Sequence, residues 1–154
     1  PQSFSITGIA TYVIDGGGFT LSASKSSALG SLFTVKAGAS LELRNIVLTN
    51  EGGRAVYVES GGTLIAGEGC VFKGNTGAST GGAVLNYGTF TADSATFTDN
   101  TASHEGGAVY NYYYGTCSGT DCMCQGNSPQ NIYGNCDLGS GCSSYWLYAI
   151  KRAQ

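Results

Sequence analysis

A two-part motif returns about every 25 residues through the middle of this chain of 154 residues. The sequence Gly-Gly-Ala-Val occurs at residues 81–84 and again at residues 106–109, and a looser copy occupies residues 53–56. The motif Phe-x-x-Asn keeps step with it, at residues 72–75 and 97–100. Successive copies end at Asn50, Asn75, Asn100 and Asn127. Because a unit this short cannot bury an apolar face alone, the copies must stack on one another around a shared core.

Each copy divides into three short runs that alternate small or polar residues with apolar ones. In one copy these runs are residues 55–58, 63–65 and 70–72, with Gly or polar turns between them. Such runs are typical of strands. The sequence therefore predicts an all-β parallel β-solenoid of about five coils, each with three short strands that lie about 4.8 Å from those of the next coil.

Stacked coils place like residues over like, which predicts columns of side chains along the solenoid axis. One inward column is expected to contain Leu41, Leu64, Phe90 and Cys117. A ladder of side-chain amides at one turn is expected to contain Asn75, Asn100 and Asn127. The repeated turns are assigned to Gly81, Gly82, Gly106 and Gly107. An amide ladder would satisfy polar groups that the stacking of coils removes from water.

The composition supports one β-rich domain and excludes several classes of function. The chain has 25 Gly and 2 Pro, and only 11% of its residues are charged, against roughly a quarter in a typical soluble domain. Seven Lys and Arg against ten Asp and Glu give a net charge of −3, so no basic surface for nucleic acid is expected. No membrane span is predicted either. The single domain 1–154 is predicted to contain repeat coils at 9–127 and a Cys-containing capping or docking segment at 128–154.

Five of the six cysteines fall in one short stretch near the end of the chain, which predicts disulfides and an extracellular or cell-surface location. The disulfide candidates are Cys117, Cys122, Cys124, Cys136 and Cys142. Cys117 and Cys124 are both expected to point inward in the last coil and to bridge across it, which leaves the other three to secure the tail. Cys70 lies two coils from Cys122, beyond disulfide reach. The spacing Cys-x-Cys without a histidine does not favour zinc, and no metal or other cofactor is predicted.

The two repeated motifs resemble the repeats of the chlamydial polymorphic outer membrane proteins. The resemblance covers roughly residues 9–127, although only two copies keep both motifs and Cys124 replaces the Phe in the last copy. It implies a right-handed parallel β-helix displayed outside the cell, where it adheres or forms surface structure. It also implies that the repeat motifs carry no catalytic role.

Candidate catalytic groups are sparse, so the chain is not expected to be an enzyme. Glu68, Asp93 and Asp121 precede equivalent strands, and solvated turn acids are favoured there over a weak calcium site. His104 is the only histidine and is expected in an exposed turn. A carbohydrate-binding or degenerate polysaccharide-active β-helix stays open as the alternative function.

Three surfaces are candidates for binding. A tyrosine-rich turn contains Tyr110, Tyr112, Tyr113 and Tyr114, whose rings suit a sugar or a protein partner. The solenoid ends form a candidate assembly surface made of Phe4, Ile6, Tyr145, Trp146, Leu147, Tyr148 and Ile150. Threonine pairs at residues 89–91 and 96–98 suggest ice binding as a third function, although the array is not expected to persist along the coils.

The sequence thus predicts a non-catalytic extracellular module for structure or adhesion, with fibre assembly head to tail through the solenoid ends. Exposed strand edges at both ends favour this assembly, because unpaired edges recruit further strands. The expected partners are other copies of the chain, another cell-surface protein or a glycan.

Overall fold

A computed structural model describes residues 3–142, which form five stacked coils of parallel β-strand. Sheet 1 contains, in spatial order, β1 (Phe4–Ile6), β4 (Ser31–Val35), β7 (Arg54–Val58), β11 (Val84–Asn86), β15 (Val109–Asn111) and β18 (Ile132–Tyr133). Sheet 2 contains β2 (Thr11–Asp15), β5 (Ser40–Arg44), β8 (Thr63–Ala66), β12 (Thr89–Asp93) and β16 (Thr116–Thr120). Sheet 3 contains β3 (Thr20–Ala23), β6 (Val47–Asn50), β9 (Val71–Lys73), β13 (Thr96–Thr98) and β17 (Met123–Gln125). These sheets confirm the predicted parallel β-solenoid.

The remaining regular elements are small. β10 (Ala78–Thr80) and β14 (Ala102–Glu105) pair in a two-stranded sheet, and a single 3-10 turn spans Lys25–Ser27. Across residues 3–142, no helix is long and apolar enough to cross a membrane.

The core is built from columns of inward side chains, one residue from each coil. The predicted column of Leu41, Leu64, Phe90 and Cys117 is confirmed by the strand register. A parallel column in sheet 3 contains Phe72 and Phe97, whose rings stack with their centroids 4.8 Å apart. That distance equals the usual spacing of neighbouring strands, so each ring lies over the ring of the next coil. Both phenylalanines are fully buried.

The two glycines of the repeated motif are needed for different reasons. The first one, Gly81 or Gly106, has a left-handed backbone with φ of +61° or +68°, which residues with a Cβ atom rarely adopt. The second one, Gly82, lies so close to the Gly107 carbonyl that a Cβ atom would overlap its oxygen. Gly107 in turn packs against the backbone of Ser128. The motif therefore combines a backbone turn with the close approach of successive coils.

A ladder of buried amides runs along one corner of the solenoid. Asn75 Nδ2 donates to Asn100 Oδ1 at 2.8 Å, and Asn100 Nδ2 donates to Asn127 Oδ1 at 2.9 Å. The backbone N–H groups of Asn75 and Asn100 donate to the same two oxygens. The ladder begins at Asn75, because the amide of Asn50 instead donates to the carbonyls of Leu29 and Arg54.

A second amide pair, which the sequence analysis missed, lies at the end of sheet 1. Asn86 Nδ2 donates to Asn111 Oδ1 at 2.7 Å, and Asn111 Nδ2 donates to the carbonyls of Gly115 and Asn135. The signal was present in the sequence, because these two asparagines are also 25 residues apart.

The predicted bridge between Cys117 and Cys124 is wrong. Cys117 pairs with Cys136 and Cys124 pairs with Cys142, with Cα–Cα distances of 4.7 and 4.8 Å. Each bridge joins the last coil to residues stacked one layer beyond it, because only that layer brings a second Cβ atom within disulfide reach. Cys122, another disulfide candidate, is buried and unpaired.

The two unpaired cysteines are poor nucleophiles. Burial raises the pKa of the Cys70 thiol to about 11, and burial also raises the pKa of Cys122. The thiolate is the reactive form of cysteine, so neither group suits a catalytic or redox role near neutral pH. In the core, both cysteines pack as small apolar side chains do.

Candidate interaction surfaces

The N-terminal end of the solenoid exposes a layer of apolar side chains. We call this surface the open end; it consists of Phe4, Ile6, Tyr12, Ile14 and Leu21. Each of these residues stands in an inward column and covers a core residue of the second coil, as Tyr12 covers Leu41. The exposed fractions of Phe4 and Tyr12 are 57% and 44%. The first coil is therefore a core layer with only one side covered.

The open end combines two residues predicted from the sequence with three that were missed. Phe4 and Ile6 were predicted, whereas Tyr12, Ile14 and Leu21 follow only from their register with Leu41, Leu43 and Leu48.

The strands around the open end have no protection against pairing with another strand. Within residues 3–142, β1, β2 and β3 each pair with a strand on one side only. Natural edge strands usually carry Lys, Pro or a bulge that prevents further pairing. Residues 3–23 contain neither Lys nor Pro, and their only charged residue is Asp15. The carboxylate of Asp15 accepts the Gly17 N–H at 3.0 Å, which with Asn45 lowers its pKa.

The C-terminal end of the solenoid is closed by a cap, which we define as residues 132–142. Ile132 and Leu138 are fully buried in this layer. The cap also satisfies the last strands, since the N–H of Cys122 donates to Leu138 O and that of Cys124 donates to Gly141 O. The two disulfides fix it in place. The predicted assembly residues Tyr145, Trp146, Leu147, Tyr148 and Ile150 lie outside the described residues.

Tyrosine rings form a continuous row along the outside of sheet 1. The ring of Tyr87 stacks on that of Tyr112 with centroids 4.4 Å apart, and Tyr57 packs edge-on against Tyr87 at 5.9 Å. A separate stacked pair joins Tyr110 to Tyr133 at 4.9 Å. In the two stacked pairs, each ring covers one face of the other. Tyr57, Tyr87 and Tyr133, which belong to other coils, were not among the tyrosines predicted from the sequence.

Within residues 3–142, the two most exposed tyrosines are neighbours in one turn. Tyr113 and Tyr114 are 85% and 79% exposed and pack edge to face with centroids 4.7 Å apart. Of the four tyrosines predicted as one group, Tyr112 packs against Tyr114 with centroids 6.2 Å apart, whereas Tyr110 instead stacks on Tyr133. Burial raises the pKa of Tyr57 and of Tyr110, so these phenols stay neutral at physiological pH.

The acidic residues do not form a metal site in the described part of the chain. Asp93 pairs across the sheet with Thr120, whose hydroxyl donates to the carboxylate at 2.8 Å. Asp121 therefore lies one residue out of register with Asp93. Residues 3–142 contain no group of three or more His, Cys, Asp or Glu side chains that could bind one ion. His104 is exposed on β14, where its Nδ1 contacts Ser103 Oγ at 3.0 Å.

Sheet 2 carries a longer column of hydroxyls than the sequence analysis anticipated. The outward residues of its five strands include Thr11, Ser40, Thr63, Thr89 and Thr116. The neighbouring outward column reads Val13, Glu42, Ile65, Thr91 and Ser118. Since the second column contains a charge and two aliphatic residues, the two columns do not make a regular two-dimensional array of hydroxyls. The geometry therefore gives ice binding little support.

The fold and its surfaces define the class of the protein as a stacked-coil β-solenoid with a closed C-terminal end and an apolar N-terminal end. In a comparison with protein families, the family model of the Chlamydia polymorphic membrane protein (Chlamydia_PMP) repeat matches residues 94–112. This stretch contains one Phe-x-x-Asn motif and one Gly-Gly-Ala-Val motif, so the chain carries a repeat of the polymorphic membrane protein type. The polymorphic membrane proteins, whose repeat this stretch resembles, are a non-enzymatic family of the outer membrane and cell surface. No curated protein and no solved structure matches the chain.

Proposed function

We propose that this protein is a non-catalytic structural and adhesion module, extracellular or on the cell surface, that assembles head to tail into a fibre through its open end. The observation that carries the proposal is the half-covered core layer of the first coil, in which Phe4 and Tyr12 are about half exposed. Exposed apolar surface of this kind, bordered by free strand edges, is typical of a site for another strand or chain.

Burial of the open end supplies part of the free energy of association, which must also offset a cost of about 4–15 kcal/mol for lost motional freedom. Complete burial of a large apolar side chain contributes about 1.5–3 kcal/mol, and the open-end residues are already partly buried. A gain of roughly 1 kcal/mol for each of the five gives about 5 kcal/mol before any new strand hydrogen bonds form. Because the open end and the cap are different surfaces, copies that join end to end use a head-to-tail contact. Such a contact leaves a free surface at each end of the assembly and does not close it into a symmetric dimer. Repeated contacts of this type produce a filament.

Tyr12→Lys is expected to abolish end-to-end association, because the substitution places an ammonium group in the apolar layer that the next copy must cover. The matched control is Thr91→Lys, which adds the same charge to the outward face in the middle of sheet 2. Sedimentation of the full chain under non-reducing conditions, with electron micrographs of the same samples, gives the measurement. Wild type and the control should form long particles, and Tyr12→Lys should remain monomeric.

Two results would contradict the assembly proposal. One is a wild-type chain that stays monomeric at every concentration tested. The other is a Tyr12→Lys variant that assembles as well as wild type while its circular dichroism shows native β-structure. Tyr12 is only half-buried, so the variant is expected to fold.

Glycan binding is a second candidate function, favoured by the open ring faces of Tyr113 and Tyr114. Exposed tyrosine rings stack on the apolar faces of sugars, and their hydroxyls donate and accept hydrogen bonds. The turn that carries them, at residues 112–115, contains no charged residue, which favours a neutral sugar over a uronate.

The double variant Tyr113→Ala with Tyr114→Ala is expected to weaken binding to neutral oligosaccharides at least tenfold, a change of about 1.4 kcal/mol. Met123→Ala is the matched control, since Met123 is also a large exposed residue but lies on sheet 3. Calorimetric titration with neutral and uronic oligosaccharides distinguishes the two sugar classes. Tight binding to uronates alone, or equal binding by the double variant, would count against this surface.

A further inference from the structure

We infer that the apolar segment at residues 144–150 of a second copy covers the open end and adds as a parallel strand along the free edge of β2. This inference rests on the proposed head-to-tail assembly and identifies the partner of that site. The segment reads Ser-Tyr-Trp-Leu-Tyr-Ala-Ile and contains no charged residue. Aromatic and β-branched residues favour strands, and alternate residues of a strand added beside β2 would cover the apolar open end while the others continue the outward face of sheet 2.

The end of the solenoid itself is not the surface that the open end contacts. The cap occupies the layer beyond the last coil and buries Ile132 and Leu138 there. Its carbonyls already accept hydrogen bonds from the N–H groups of Cys122 and Cys124. Direct stacking of one copy's first coil on another copy's last coil would require the cap to leave, although two disulfides join it to the last coil. The residues that the cap exposes include the polar Asn135, Asp137 and Ser140, which do not match an apolar surface, so the apolar residues beyond the cap are the better partner.

The segment cannot reach the open end of its own copy. Cys142 lies one layer beyond Cys124, since their Cα atoms are 4.8 Å apart. Sheet 3 contains five strands from β3 to β17, so a strand added next to β3 lies six layers from Cys142, or about 29 Å at about 4.8 Å per layer. Ser144 is two residue steps from Cys142, a span of at most about 7 Å. Even a fully extended chain would arrive only after about nine residues, past Ile150.

The charges near the site favour the parallel direction. Every strand pair in the described solenoid is parallel, and Asp15 lies at the C-terminal end of β2. A segment that runs parallel to β2 brings Lys151 and Arg152, which directly follow it, to the end where Asp15 lies. The antiparallel direction would instead place these two cations beside Thr11 and the other uncharged residues at the start of β2. The parallel direction therefore pairs opposite charges at Asp15, the only charged residue within residues 3–23.

The test uses Trp146, the only tryptophan of the chain, as a reporter of the segment. Fluorescence of the full-length protein is recorded over a concentration series, together with sedimentation of the same samples. The emission maximum is expected to move to shorter wavelength as particles form, because the indole leaves water when the segment docks. Tyr12→Lys should show neither particles nor the shift. Leu147→Lys should raise the concentration needed for assembly at least tenfold, and Gln154→Lys, which adds the same charge beyond the segment, should not.

The outcomes separate this inference from the proposed function. Particles that form while Trp146 keeps the emission of a water-exposed indole would overturn the inference and leave end-to-end assembly standing. Emission at short wavelength that does not change with concentration would show that the segment packs on its own copy, and it too would overturn the inference. A wild-type chain that never assembles would remove the proposed function and the inference with it.

A peptide with the sequence of residues 143–152 provides an independent check. It is expected to bind the full chain and stop the growth of particles, because it occupies open ends without supplying a new one. The same peptide with Leu147→Lys should have at least tenfold less effect. Equal inhibition by both peptides would overturn the inference.

Discussion

Asn100→Leu is expected to lower the free energy of unfolding by about 4 kcal/mol, because it interrupts the amide ladder at its centre. The Asn100 side chain takes part in four hydrogen bonds. Its Oδ1 accepts from the N–H and the Nδ2 of Asn75, and its Nδ2 donates to the carbonyl of Phe72 and to Asn127 Oδ1. Leucine has the same branched shape but larger end groups, so the loss comes chiefly from buried polar groups left unpaired, each of which costs about 1–3 kcal/mol, with overpacking added to it.

Urea unfolding followed by circular dichroism, with the disulfides intact, measures this effect. Asn135→Leu is the matched control, since Asn135 is exposed and its side chain makes no hydrogen bond within the described residues. The control is expected to change the free energy of unfolding by less than about 0.5 kcal/mol. Equal stability of the two variants would mean that the ladder does not contribute to the stability of the stacked coils.

The coil architecture could be predicted from the sequence because it depends on spacing. Motifs that recur at a nearly constant spacing fix the register between coils, so the column through Leu64 and Phe90 and the ladder through Asn100 could be placed from the sequence. The pair of Asn86 and Asn111 obeys the same spacing, but it was missed because Asn86 stands outside both recognised motifs. The spacing of residues in the sequence therefore predicts which side chains stack on one another wherever the backbone of one coil repeats in the next.

The disulfides could not be predicted in the same way, because the cap is not a repeat. Cys117 and Cys124 both point inward, but they lie in different sheets of one coil. Their partners, Cys136 and Cys142, come from a layer whose backbone path has no counterpart in the earlier coils. The sequence between residues 128 and 142 contains no copy of either motif that would set its register.

The tyrosines are a second case in which the sequence did not predict which residues share a surface. Neighbours in sequence, such as Tyr110 and Tyr113, were expected to form one site, yet Tyr110 belongs to a strand and stacks on Tyr133 of the next coil. In a stacked-coil fold, residues that share a surface are most often about 25 positions apart, so clusters of adjacent residues are a weaker guide to binding sites. The open end follows the same principle, because its five residues come from three strands and share a surface only through the register of the first coil with the second.

Gly82→Ala is expected to destabilise the protein by about 3 kcal/mol, because the new methyl group would overlap the carbonyl oxygen of Gly107 in the next coil. The obstacle is backbone, which cannot rotate away as a side chain does, so two coils must separate and stretch the hydrogen bond from Gly82 N to Gly106 O. Gly67→Ala is the matched control, since a Cβ atom there lies 3.5 Å from its nearest neighbour, the Leu43 carbonyl oxygen.

The control is expected to be neutral or slightly stabilising, because alanine lowers the entropy of the unfolded chain without strain in the folded one. Urea unfolding of both variants gives the comparison. A Gly82→Ala variant as stable as Gly67→Ala would show that the coils can separate at little cost. The second glycine of the motif would then be explained by something other than close coil contact. The larger predicted loss instead makes that contact the physical reason why the repeat contains two adjacent glycines.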